Sequence, residues 1–300
     1  VVVIPGGSVW IDDPVGIAIA SSEGNILIKD LFQNPDLTTL PVKNLPPPLE
    51  LDEPTAFLSI RKGSNYSHWM VDLLPKIGLL RQSGIDLKSI GKFVVSSHSE
   101  QPFQRETLEA LGVPSDKIVE SLTYPYIKAK TLIVPSLIPK ISRLVTMREW
   151  ACQFIGKEFL KSEVRQNLEV SEGIYISRKD ASYRQVINES EVVQFLSEFG
   201  IKSVALSSMS VREQVLLFAG AKAVIGPHGA GFANTLFCNP GTKVIELVSP
   251  DSIRTCYHHS SNNCNLDYYY LMGESVDAAR QDFKVKIDLL SDLMKLAGID

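Results

Sequence analysis

Four groups of residues have types and spacings that could do chemistry. The first lies in residues 223–237, AVIGPHGAGFANTLF, where an apolar run leads into Gly226, Gly229 and Gly231 and then into a helix-forming segment. That order reads as a buried strand, a tight turn and a helix start. Such a turn leaves the N–H groups of Gly229, Ala230 and Gly231 without intrahelical partners at the positive end of a helix dipole, a place phosphate favours. Steric crowding alone can also demand glycine there. His228, inside the turn, could donate to a phosphate oxygen or cap its own loop. The second group is Arg178 in ISRKD, followed by Arg184. Arg178 closes the apolar run GIYIS, and open α/β sheets bind ligands at the carboxyl ends of strands, where guanidinium suits phosphate. Third, Glu246 sits inside the apolar run KVIELV. A carboxylate there is costly unless something binds it, either vicinal ribose hydroxyls or a basic side chain. Fourth, His68 and Asp72 in NYSHWMVDLLP are four residues apart and share a face of any helix. The pair could present a carboxylate that abstracts a proton, or the histidine could simply be satisfied by its neighbour.

These residues need elements to position them. Residues 1–43 hold short β-like runs, and 44–54 (NLPPPLELDEP) read as a proline-rich connector. From Thr55 strands alternate with helices: TAFLSI, a helix over 67–83, KFVVSS, the helix PFQRETLEALG, then TLIVPSLIP. A helical stretch around 146–163 is long enough to bridge two lobes. The later half repeats the alternation with GIYIS, a helix bearing Val192, Phe195, Leu196 and Phe199, then SVAL. Asn188 and Glu191 make an approximate capping box, and Ser210 and Glu213 a true one. AVIG, KVIELV and YYYLM complete the series. The reading is an α/β chain with a strand-rich segment over 1–50, one α/β lobe over 51–165 and a second α/β lobe over 166–300.

Bulk properties narrow the partners. Three hundred residues suit two domains, and 44% hydrophobic residues can bury real cores. A net charge of −4 without a basic run argues against nucleic acid. No apolar run is long enough to span a membrane and no signal peptide is visible, although a chain beginning at Val1 leaves a preceding anchor open. Four cysteines without paired spacing point to a reducing, cytoplasmic setting and to no metal site. There is no D-x-D, no G-x-x-x-x-G-K-[ST] and no G-x-S-x-G. The glycines are spaced G-x-x-G-x-G, not the G-x-G-x-x-G of dinucleotide oxidoreductases.

Taken in order, NYSHWMVDLLPKIGLL, YISRKDASYRQVINESEV and the segment from LSSMSVREQ through HGAGFAN to KVIEL resemble glycosyltransferase family 61. Lys76 stands where arginine is common in that pattern. The resemblance implies a GT-B architecture, two Rossmann-like lobes facing across a cleft. It implies inverting, metal-independent transfer of a sugar from a nucleotide diphosphate sugar, a UDP-sugar foremost, to a glycan or other hydroxyl acceptor, with no other cofactor. It further implies donor binding in the later lobe by Arg178, Arg184, His228, Gly229, Ala230, Gly231, Asn234 and Glu246. Asp72 would be the general base, with His68 orienting it or the acceptor. Cytoplasmic work on a surface or capsular polysaccharide fits, with peripheral association at the inner membrane face left open. A rival reading is a catalytically silent sugar-nucleotide-binding or scaffolding protein on the same fold.

Overall fold

The computed structural model describes residues 1–12, 16–31, 38–39, 42–135, 149–160 and 168–299. The chain forms two compact units, Val1–Pro139 and Lys140–Asp300.

The first unit is built on eight strands, β1 (Val2–Pro5), β2 (Ser8–Asp12), β3 (Gly16–Ala20), β4 (Ile26–Leu31), β5 (Leu49–Phe57), β6 (Lys92–Val95), β7 (Ile118–Glu120) and β8 (Tyr126–Val134). They lie in one sheet in the order β4-β3-β2-β8-β5-β6-β7, with β1 also paired to β8. Strands β8, β5, β6 and β7 run parallel, while β1 and β2 meet β8 antiparallel. The first fifty residues are therefore not a separate segment. Their Ile4, Val9, Ile11, Ile17 and Ile19 share one core with Phe57, Val94, Ile127 and Leu132, burial that a small meander could not supply alone. The expected connector also shortens, because β5 already begins at Leu49. The strand carries Pro54 past a register shift between Leu51 and Pro54, the kind of irregularity that tolerates a residue without an N–H. Residues 136–139, the end of TLIVPSLIP, lie outside the described residues.

The second unit has a five-stranded parallel sheet, ordered β10-β9-β11-β12-β13. Its strands are β9 (Gly173–Ile176), β10 (Ile201–Val204), β11 (Ala223–Pro227), β12 (Lys243–Val248) and β13 (Asp267–Met272). A short antiparallel pair, β14 (Glu274–Asp277) and β15 (Asp282–Lys284), follows. Tyr175, Ile225, Ile245 and Leu247 on the sheet bury against Val192, Leu196, Leu290 and Met294 of the helices Glu189–Ser197 and Ile287–Ala297. The capping box of Ser210 and Glu213 opens the helix Val211–Gly220 as expected. Asn188 behaves differently, since its side chain bonds both backbone groups of Val285 and so fastens the end of β15.

The helix Glu149–Phe159 belongs to the second unit, where Phe159 meets Phe237 edge to face with centroids 6.0 Å apart. The division thus falls near residue 139 rather than 165. Residues 146–148 and 161–163 of the expected bridging helix lie outside the described residues. Among the described residues no helix is long and apolar enough to cross a membrane.

Candidate functional site

In the second unit the carboxyl ends of the adjacent strands β9 and β11 bring Arg178 over the glycine turn. An atom placed at the missing Cβ of Gly229 would lie 2.2 Å from Nη1 of Arg178, so the absent side chain is the space the guanidinium occupies. Gly231 serves packing instead, its missing Cβ facing Leu206 Cδ1 at 2.8 Å. Beyond the turn the chain forms a 3-10 helix, Ala230–Phe237, not the α-helix its sequence suggests. Its first N–H groups, at Ala230 and Gly231, still have no intrahelical acceptor. Asn234 is fully buried, and its amide donates to Gln214 Oε1 at 2.7 Å, tying the 3-10 helix to Val211–Gly220.

Arg178 and Arg184 are the cations of the site, and both flank Tyr183. Their guanidinium centres lie 5.5 and 4.6 Å from its ring. Arg178 Nη2 donates to the Tyr183 carbonyl at 3.1 Å, and the Arg178 amide donates to Glu189 Oε1 at 3.3 Å. The Nε atoms of both arginines are buried and make no hydrogen bond. A buried donor of that kind is expensive to leave unmatched. Burial, and then the neighbouring Arg184, lower the pKa of Arg178, as expected where positive charge exceeds negative. The hydrogen bond with Arg184 draws the Tyr183 phenol below its ordinary range. Arg184 itself sits at φ 56°, a left-handed conformation that costs a non-glycine residue energy. The β14–β15 region holds it there. Arg184 N donates to Arg280 O at 2.9 Å and Gln185 N to Asp282 Oδ1 at 2.8 Å, while Arg280 pairs with Asp282 at 3.0 Å.

Glu246 has a different part from the ribose contact its position suggests. Its carboxylate has no exposed surface. His228 Nδ1 bonds one oxygen, and the Tyr268 hydroxyl donates to the other. A carboxylate only accepts, so Nδ1 of His228 carries a hydrogen, and the ring can donate a second hydrogen bond only as imidazolium. Burial first, then Glu246, push the Tyr268 phenol far up, which keeps it a donor. The His228 ring also meets that of Tyr257 at a tilt, with centroids 5.0 Å apart. Glu246 is therefore a positioning residue for His228.

The first unit holds the other pair. Asn65 caps a short helical turn, Tyr66–His68, accepting from the amides of Ser67 and His68. A π-helical turn, Trp69–Leu73, follows, closed by Leu74 N to Trp69 O at 3.1 Å. Pro75, which has no N–H, begins the next helix, Pro75–Gln82, and the wider turn ahead of it accommodates that loss. The pair shares a face as expected: His68 Nδ1 and Asp72 Oδ2 are 2.8 Å apart and both side chains are about four-fifths buried. Nδ1 donates, leaving His68 Nε2 and Asp72 Oδ1 as acceptors. Lys76, buried, donates to the carbonyls of Leu58 and Ser59 at 3.0 and 2.8 Å, holding the carboxyl end of β5.

The second unit thus gathers Arg178, Arg184, His228 and the Gly229–Gly231 turn, with Glu246 behind His228 and Asn234 bonded to Gln214. Tyr183, Glu189 and Tyr268 escaped the sequence reading. Glu189 has a visible signal, a carboxylate ahead of an apolar helix face, whereas Tyr268 stands in a run of three tyrosines with nothing to mark it out.

A family model described as Glycosyltransferase 61 matches residues 66–245, more than half of the chain. A beta-1,2-xylosyltransferase of Arabidopsis thaliana is 27% identical over 127 residues, covering 38% of this chain and 23% of that protein. Protein O-linked-mannose beta-1,4-N-acetylglucosaminyltransferase 2 of Takifugu rubripes is 32% identical over 95 residues, 29% of this chain and 16% of that one. The chain spans less than a quarter of the length of either relative. Because the matched region runs from the helical turn bearing His68 to the strand bearing Glu246, the chain belongs to glycosyltransferase family 61.

Proposed function

We propose that the protein transfers a sugar, with inversion and without an obligatory metal, from a nucleotide diphosphate sugar to a hydroxyl of a glycan or glycosylated acceptor. A UDP-sugar is the foremost donor, and the two units would act as the paired lobes of a GT-B enzyme. The observation that carries this reading is Arg178 lying against the Gly229 turn, its buried Nε, like that of Arg184, without a hydrogen-bond partner. Two cations with unmatched donors, next to free backbone N–H groups, suit a diphosphate.

In the step proposed, an acceptor oxygen attacks the anomeric carbon as the bond from that carbon to the phosphate oxygen breaks. The electron pair leaves on the nucleoside diphosphate, whose charge Arg178, Arg184 and the turn neutralise. The hydroxyl proton passes to the Asp72–His68 pair. One displacement inverts the anomeric centre, in keeping with the beta linkages in both relatives' names.

A thermal-shift panel of uridine, guanosine and cytidine diphosphate sugars, run with EDTA, tests the reading. A donor at about a hundred times its Kd should add roughly 2.7 kcal/mol of stability. A panel without any response would favour a scaffolding protein on the same fold.

A further inference from the structure

A second histidine–carboxylate pair lies outside the residues used so far. In the first unit His98 follows β6 and Glu120 ends β7, so both stand at the carboxyl edge of the parallel strands. One oxygen of Glu120, Oε1, receives four hydrogen bonds: the His98 amide at 2.8 Å, His98 Nδ1 at 2.9 Å, the Ser99 amide at 3.2 Å and the Ser99 hydroxyl at 3.0 Å. The other oxygen, Oε2, has no partner among the described residues, nor does His98 Nε2. The two side chains are 25% and 23% exposed, enough to be reached by a ligand.

The chemistry of what would bind follows from these atoms. Burial pushes the Glu120 pKa up, but the hydrogen bonds from His98 and Ser99 outweigh it and hold the carboxyl below its ordinary value, so it stays ionised. An ionised carboxylate only accepts, which fixes the hydrogen on Nδ1 of His98 and leaves Nε2 an acceptor in the neutral ring. Two partly exposed, unmatched acceptors on one bonded pair suit a ligand with two donors. A bound cation would want further ligands, and among the described residues no group of three or more His, Cys, Asp or Glu could hold one. Adjacent sugar hydroxyls supply two donors at a fixed spacing.

The pair is also joined to the edge that carries His68 and Asp72. Gln104 accepts from the Ser97 hydroxyl at 3.1 Å and donates to the Gly63 carbonyl at 3.2 Å, locking the loop after β6 to the loop after β5. Phe103 packs edge-on against Tyr66 and Trp69, at 5.1 and 6.0 Å, on the helical turn that bears His68. We propose that His98 and Glu120 form an acceptor subsite that grips a vicinal diol of a glycan, a role that rests on the transferase reading above.

The test compares the full chain with His98→Gln and Glu120→Gln on a glycan array, read alongside the nucleotide-sugar thermal shifts. The wild type should bind diol-bearing glycans, and each substitution should weaken that binding by roughly fivefold or more, the scale of one or two lost hydrogen bonds. Ser99→Ala, which removes one donor to Oε1 but neither outward acceptor, should stay within about twofold of wild type on the same scale. Nucleotide-sugar shifts should be unchanged in all three. Should Glu120→Gln fail to fold, His98→Gln decides alone. The subsite is overturned if the wild type binds no glycan, or if His98→Gln binds glycans as the wild type does. A wild type that binds glycans but no nucleotide sugar would instead overturn the transferase reading.

Discussion

At the residue scale, the same side-chain types take opposite roles according to what their neighbours leave unmatched. Arg178 and Arg184 keep buried Nε donors without acceptors, whereas Glu246 and Asn234 are bonded to neighbours inside the unit. Arg178→Ala should therefore raise the Kd for the donor nucleotide sugar roughly tenfold or more, the worth of a charged hydrogen bond. Calorimetric titration checks it, and an unchanged Kd would remove Arg178 from the site. Asp72→Asn should lower kcat by about a hundredfold or more, as loss of a general base does, with donor affinity kept. An equal loss of donor binding would make Asp72 structural. The sequence disclosed Arg178, His68 and Asp72 because a cation after an apolar strand and an i, i+4 pair are local patterns. It marked Glu246 without naming its partners, since an acid in an apolar strand announces only that something binds it. They are His228 and, on the neighbouring strand, Tyr268.

At the element scale, the glycine turn shows how backbone and side chain share one space. Gly229 has an extended φ of −175°, so alanine there would strain nothing in the backbone. Its Cβ would first meet the flexible Arg178 side chain, at Nη1, Cζ and Cδ. Gly229→Ala should consequently melt close to wild type yet bind donor nearly as poorly as Arg178→Ala. A large drop in Tm with donor affinity intact would refute that account. The β6–β7 edge gives a pH prediction. Glu120 has its pKa lowered in the folded state, so the unfolded chain binds its proton more readily and the stabilisation exists above the ordinary carboxylate pKa. The stability gap between wild type and Glu120→Gln should be present at neutral pH and close as pH falls below about 4. Melting curves across that range measure it, and a gap that persists in acid would mean a role independent of charge.

At the scale of the whole molecule, a net charge of −4 means that the proposed anionic donor would be drawn in by a local field rather than an overall one. Donor affinity should weaken with added salt, but only by a few-fold, because partly buried arginines are screened less than exposed ones. A fall of several orders of magnitude would point to surface charge instead. What the sequence by itself determined was the alternation of strands and helices in the later half, the Ser210–Glu213 cap, the glycine turn and the His68–Asp72 face. All of these depend on residues within a few positions of one another, where periodicity and capping act. Only the tertiary structure decided that the first fifty residues join the parallel sheet of the first unit. It also decided that β14–β15 pins Arg184 in a strained conformation, and that Glu246 meets Tyr268. Those outcomes come from pairings between distant segments, whose energy lies in buried area and matched donors that exist only once the chain has closed on itself.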